Sequence, residues 1–187
     1  MTNEVSPSSG NRDASRASRR FGGIAARLPN VAEMLPDALA KRVAAYPATS
    51  GHGLSQEELE CAAEVAGFVR ALLARPVTKP QLGEWVALVM AGTRKMRTDH
   101  ETQLFMAALG FACEDMPAAV FCEETQRMAM RSLVFAPSVA EILAVVDPIV
   151  LDWQRTRDAL EHFVLQAALA EHAAAQDTLP ELPSHGA

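Results

Sequence analysis

A chain of 187 residues is long enough to bury one core, while two full domains would be crowded. Apolar residues make up 49% and aromatics only 5%, and Gly and Pro fall between the apolar stretches, which is the usage of a helical protein. A net charge of −6 excludes coating of nucleic acid by a whole basic face, because such binding needs many Lys and Arg on phosphates; a local basic patch stays open. No stretch approaches the run of about 18 to 20 apolar residues of a membrane helix, and the N-terminus is polar where a signal peptide is apolar. The expectation is a soluble, cytoplasmic protein.

Residues 1–22 (MTNEVSPSSGNRDASRASRRFG) have almost nothing to bury and are expected to be a disordered tail. Its end, Arg16, Arg19 and Arg20, is the most basic short patch and the one candidate nucleic-acid contact. Residues 23–53 carry short helical patterns broken by Pro29, Pro36 and Pro47, ending in a linker. Then a Ser or Thr stands three residues ahead of a Glu or Gln before each of four apolar periods: Ser55 and Glu58, Thr78 and Gln81, Thr98 and Glu101, Ser138 and Glu141. This is the capping-box pattern, in which each partner satisfies a backbone amide of the first turn.

The spacing predicts a helix over 56–75 burying Leu59, Ala62, Ala66, Val69 and Leu73. A second over 80–91 carries Leu82, Trp85, Val86 and Val89. A third over 99–113 has Leu104, Phe105, Ala108, Leu109 and Ala112 on one face. A further helix over 116–132 is expected to open with Asp115 as cap and Pro117 in its first turn, to turn Val120, Phe121 and Met128 inward, and to pair Glu123 with Arg127. At Leu133–Ile142 (LVFAPSVAEI) the residue ahead of Pro137 is biased out of the helical region. Ser138 then caps a new helix, and Phe135 is expected to pin the corner from within. Past it, Asp147-Pro148 either kinks one long helix or starts another with Asp147 as cap. An apolar period through Trp153, Leu160, Phe163 and Val164 extends to about Ala175. The expected organisation is a compact domain over 54–146, a long helix over 147–175 and a disordered tail over 176–187. The fold class is all-α, an irregular or orthogonal bundle of five to six helices.

Signals for chemistry are weak. There is no glycine-rich phosphate loop, no GxSxG and no HExxH. The five histidines lack metal-ligand spacing, and three cysteines without CxxC spacing read as buried thiols rather than as disulfides or a zinc site. No catalytic residue, cofactor or metal is expected. An enzyme would need residues such as Glu64, Glu123 or His100 to converge in a pocket, which spacing along one chain does not establish.

The stretch Leu109–Ile142, LGFACEDMPAAVFCEETQRMAMRSLVFAPSVAEI, is similar to a pattern in small helical phage and prophage replication proteins, the replicative-helicase loaders. The matching residues are Asp115, Met116 and Pro117 at the turn, and Phe135, Pro137, Ser138, Glu141 and Ile142 at the corner. The resemblance implies a non-enzymatic adaptor that binds a hexameric replicative helicase and assists its loading at a phage or plasmid origin. It also implies a more mobile partner-engaging segment, here the helix from Ile149 to about Ala175 and the polar tail after it, with Trp153, Arg155, Arg157 and Glu161 as candidate partner-binding residues. The N-terminal extension and the long last helix depart from the small loaders. A rival expectation is a structural or assembly protein, of packaging or scaffold type, that self-associates through that helix.

Overall fold

The computed structural model describes residues 24–93, 98–133 and 135–177. Among them the chain is all-α, with no strand and with a long C-terminal helix. The helices are α1 (Asp37–Ala44), α2 (Gln56–Leu73), α3 (Lys79–Ala91), α4 (Asp99–Ala112), α5 (Glu123–Ser132) and α6 (Val139–Asp177), with 3-10 turns at Ala32–Met34 and Ala118–Val120.

The capping signals act largely as their chemistry requires. Glu58 N–H donates to Ser55 Oγ at 3.2 Å and Ser55 N–H to Glu58 Oε2 at 2.8 Å. Those bonds, led by the Ser55 backbone amide, hold the Glu58 carboxyl below the usual carboxylate range. Thr98 with Glu101 and Ser138 with Glu141 close the same reciprocal box. At α3 only half of it forms. Thr78 accepts from Gln81 N–H at 3.4 Å, but the Gln81 side chain turns away and donates to the Ala118 carbonyl at 2.9 Å.

One expected boundary moves. Asp115 and Pro117 do not open a helix. Pro117 instead sits opposite Pro76 in an isolated antiparallel bridge, flanked by Val77 N–H to Met116 O and Ala118 N–H to Arg75 O, both 2.8 Å. Those bonds come from the neighbours of the two prolines, so the missing proline N–H groups cost the bridge nothing. The helix starts later, at Glu123, with Cys122 as its cap residue and the Thr125 hydroxyl accepting from Cys122 N–H at 3.2 Å. Of the two alternatives at Asp147-Pro148, one long helix holds: α6 runs through Pro148 as one helix of 39 residues. The carbonyl deprived of its donor belongs to Ala144, and both residues are exposed, so water can take the place of the lost bond.

The chain divides into two compact units, each built from discontinuous segments. Of the described residues, the first comprises 24–29 and Ala71–Asp152. Its core is Leu82, Trp85, Val86 and Val89 of α3, Phe105 and Leu109 of α4, Phe121, Cys122 and Ala129, and Ile142 and Val146 of α6. The Trp85 indole N–H lies 3.1 Å from both the Cys122 carbonyl and Thr125 Oγ1, its ring meets Phe121 edge to face at 5.5 Å, and Gln126 Nε2 donates to the Trp85 carbonyl at 3.3 Å.

The second unit comprises Asn30–Arg70 with Trp153 onward. Leu39, Ala62, Val65, Val69, Leu160 and Phe163 form its core, and Tyr46 packs edge-on to Phe163 at 6.2 Å. Arg42 closes the following loop by donating to the carbonyls of Ser50 and His52 at 3.1 and 2.8 Å. Gly51 N–H donates to Gln166 Oε1 at 2.8 Å, and a Cβ at Gly51 would meet the Phe163 carbonyl oxygen at 2.7 Å. That is backbone, which cannot swing aside. Gly51→Ala is therefore expected to destabilise the protein by about 1–3 kcal/mol, read as a lower urea midpoint; an unchanged midpoint would show that the loop separates from α6 freely.

Candidate functional site

The corner between α5 and α6 has hydrogen bonds at the end of one helix and the start of the other. The Leu133 N–H still donates to the Ala129 carbonyl at 2.9 Å, and the Ser132 hydroxyl lies 3.0 Å from the same oxygen. Three residues after Phe135, Ser138 opens α6 with its N–H 2.7 Å from Glu141 Oε2. Phe135 does not pin this corner from within: it is 66% exposed. The inward positions are taken by the buried ring of Pro137 and by Ile142 and Val146 of α6, so the phenylalanine is left on the outside of the bend.

Beside the corner, Ser138 and Val139 at the start of α6 and Glu101, Leu104 and Phe105 on the first turns of α4 line a shallow depression of about 390 Å³. Its surface is apolar apart from the edge carrying Glu101 and Ser138. A second groove, of about 590 Å³, lies between α3 and α4, with Val77, Lys79, Leu82, Met106, Ala107, Gly110 and Phe111 among its walls. Phe111 at its rim is 83% exposed. Leu104 and Ala108, expected on the buried face, are exposed too; α4 buries Phe105 and Leu109 instead. The signal was present in the sequence, because Leu104–Ala112 (LFMAALGFA) is apolar all round, a wider band than a one-sided surface helix carries. Met128 is likewise exposed where an inward position was expected.

The residues proposed for partner contact do not form one surface. Trp153 is 2% exposed and packs in the second unit, so it is a core residue. Glu161 accepts from Arg70 at 2.7 Å, and Arg157 donates to Asp158 at 2.7 Å. Exposed pairs of this kind contribute about 0–1 kcal/mol. Arg155 is exposed on α6. Arg16, Arg19 and Arg20 lie outside the described residues.

Among the described residues no group of three or more His, Cys, Asp or Glu side chains is placed to hold a metal, and no helix is long and apolar enough to cross a membrane. Glu123 is tied to Arg127 at 3.3 Å, as the spacing predicts, and His100 and Glu64 stand exposed on α4 and α2. Cys113 and Cys122 are buried free thiols. Burial first, and then the Asp147 carboxylate, push the Cys113 thiol up to about 11.

Compared with family models, with curated proteins and with solved structures, the chain matches none of them.

Two outcomes follow from this geometry. Phe135→Ala is expected to leave the urea midpoint within about 0.5 kcal/mol of the parent, whereas truncating a buried phenylalanine costs about 3–5 kcal/mol; a loss of that size would put the ring inside. Alkylation of Cys113 at pH 8 is expected only on unfolding, since the thiol is both shielded and protonated well above that pH; peptide mapping that found it modified in the native protein at the rate of Cys61 would contradict the burial.

Proposed function

We propose that this chain is a non-enzymatic DNA-replication adaptor that binds a hexameric replicative helicase and assists its loading at a phage or plasmid origin. The observation that supports a partner-binding reading is Phe135. It is an aromatic ring 66% exposed between the end of α5 and the capping box that opens α6, and exposed aromatic side chains are the residue type that most often anchors an interface. The helicase as partner, and replication as the process, rest on the resemblance of Leu109–Ile142 to the helicase loaders. In that reading the Arg16, Arg19 and Arg20 patch is an auxiliary contact to DNA.

A second reading draws on a different observation. Leu165 and Leu169, four residues apart near the end of α6, are both more than half exposed, as expected if an assembly protein self-associates through its long helix.

Light scattering on the eluting protein, alone and mixed with the replicative helicase of the source organism, separates the two. The adaptor reading expects a stoichiometric complex that Phe135→Ala abolishes while the circular dichroism spectrum stays the same. Absence of a complex, together with a defined homo-oligomer that Leu169→Asp breaks, would reject it in favour of the assembly protein.

A further inference from the structure

The described residues begin inside a groove. Ile24 is 3% exposed and lines a trough of about 390 Å³ between the end of α3 and α5, with Leu88, Ala91 and Gly92 on one side and Arg127 and Met130 on the other. The trough is apolar apart from the Glu123–Arg127 pair at its edge and Gln126, whose Nε2 is engaged by the Trp85 carbonyl. Leu88 and Met130 are 42% and 45% exposed, so two large apolar side chains of the trough are only half covered. Met130 lies across Gly92, where an added Cβ would meet its Cε at 2.8 Å.

We propose that this trough is the seat of Phe21, brought there by the chain that leads into Ile24. The point at which the chain enters is what selects this occupant. Glu123 N–H, at the start of α5, donates to the Ala25 carbonyl, and Leu28 N–H donates to Glu124 Oε2, both at 3.0 Å. One residue nearer the N-terminus, Ile24 is already in the trough. Phe21 lies outside the described residues, three positions before Ile24. Three residues of extended chain span up to about 10 Å, and the rise along α5 from Glu123 to Met130 is also about 10 Å, so the ring comes within reach of Met130 and Leu88. Among residues 1–23 the other large apolar side chains, Met1 and Val5, stand at the far end of the segment. Gly22 and Gly23 bring no side chain of their own into the trough, which lets the chain lie close to its floor. A thioether beside a phenyl ring is a favourable pair, and the ring covers apolar surface that Leu88 and Met130 otherwise leave in water.

Only Phe21 departs from the expectation that residues 1–22 have almost nothing to bury. Docked, it holds Arg19 and Arg20, part of the candidate DNA contact, beside the first unit. The contact is one side chain in an open trough, so it exchanges with an undocked form. It does not rest on the helicase reading, because neither Phe135 nor the corner lines the trough.

The test is limited trypsin digestion of the full chain, with mass spectrometry timing cleavage after Arg16 and after Arg20 relative to a synthetic peptide of residues 10–26. In the parent, cleavage after Arg20 is expected to be slowed about tenfold more than cleavage after Arg16, because the protease reaches only the undocked form. Leu88→Asp and Met130→Asp, at exposed positions on different helices, should each abolish that gap with unchanged helix content, and neither alters the sequence around the cleaved bonds; one of the two suffices where the other fails to fold. With the methionine methyl groups labelled with carbon-13, Phe21→Ala should also move the Met130 resonance and leave that of Met34, in the second unit, in place. Equal slowing at both sites in the parent, a gap that survives both trough variants, or a Met130 resonance unmoved by Phe21→Ala would overturn the proposal. So would a Met130 resonance that moves with protein concentration and not with Phe21→Ala, which would give the trough to a second copy. Helicase binding that persists in Phe21→Ala would leave the adaptor reading standing whether or not Phe21 docks.

Discussion

The first unit depends on what happens around one buried tryptophan. The Trp85 indole N–H is out of reach of water, and an unmade hydrogen bond there would cost about 1–3 kcal/mol. It finds Cys122 O and Thr125 Oγ1 together. Thr125 is at once a partner to that indole and the residue that reaches back to the amide opening α5, and it also donates to the Val120 carbonyl. Gln126, the next residue, closes the link in the opposite direction by donating to the Trp85 carbonyl. The start of α5 is thereby fixed against the middle of α3, and the bridge between Pro76 and Pro117 ties together the loops that lead into those two helices. Satisfied polar groups in an apolar core specify one arrangement, because sliding either helix by a turn would leave several of them unpaired.

With α3 and α5 fixed, the surface follows. The α5 helix ends at Ser132, Pro137 is buried at the bend, and Phe135 is on the outside. An aromatic ring left in water at a bend is the residue type that gains most when something covers it. The α4 helix makes the same point on a larger scale. Its inner stripe of Phe105, Leu109 and Cys113 satisfies the core, and its outer stripe of Leu104, Ala107 and Phe111 remains in water. A helix apolar on both sides has more to bury than its own unit accepts.

Much of the helical plan was legible in the chain. The reciprocal bonds at Ser55, Thr98 and Ser138 form as their spacing predicts, and the breaks before Pro76 and Pro137 fall where proline bars a helical neighbour. The misses are of one kind. Asp115 and Pro117 carry the local marks of a helix start, yet Pro117 is drawn into a bridge with Pro76, about forty residues away in sequence. Cys122, which no capping preference favours, became the cap because Thr125 had a second task at Trp85. Trp153 was placed correctly on an apolar period, but its apolar face turned out to be its whole environment, which removes it from the surface. For the site the sequence did less: it found the corner and misjudged its phenylalanine.

The division has a physical cause. Caps, proline breaks and the helical period act over about four residues, so the sequence by itself determined that this is an all-α protein and where most of its helices begin. Which face of a doubly apolar helix is covered, whether a ring at a bend points in or out, and which segments gather into one unit are settled by neighbours distant along the chain, through competition for a limited interior volume. Only the tertiary structure decided that Phe105 goes in and Phe111 stays out, and that Pro137 rather than Phe135 fills the corner.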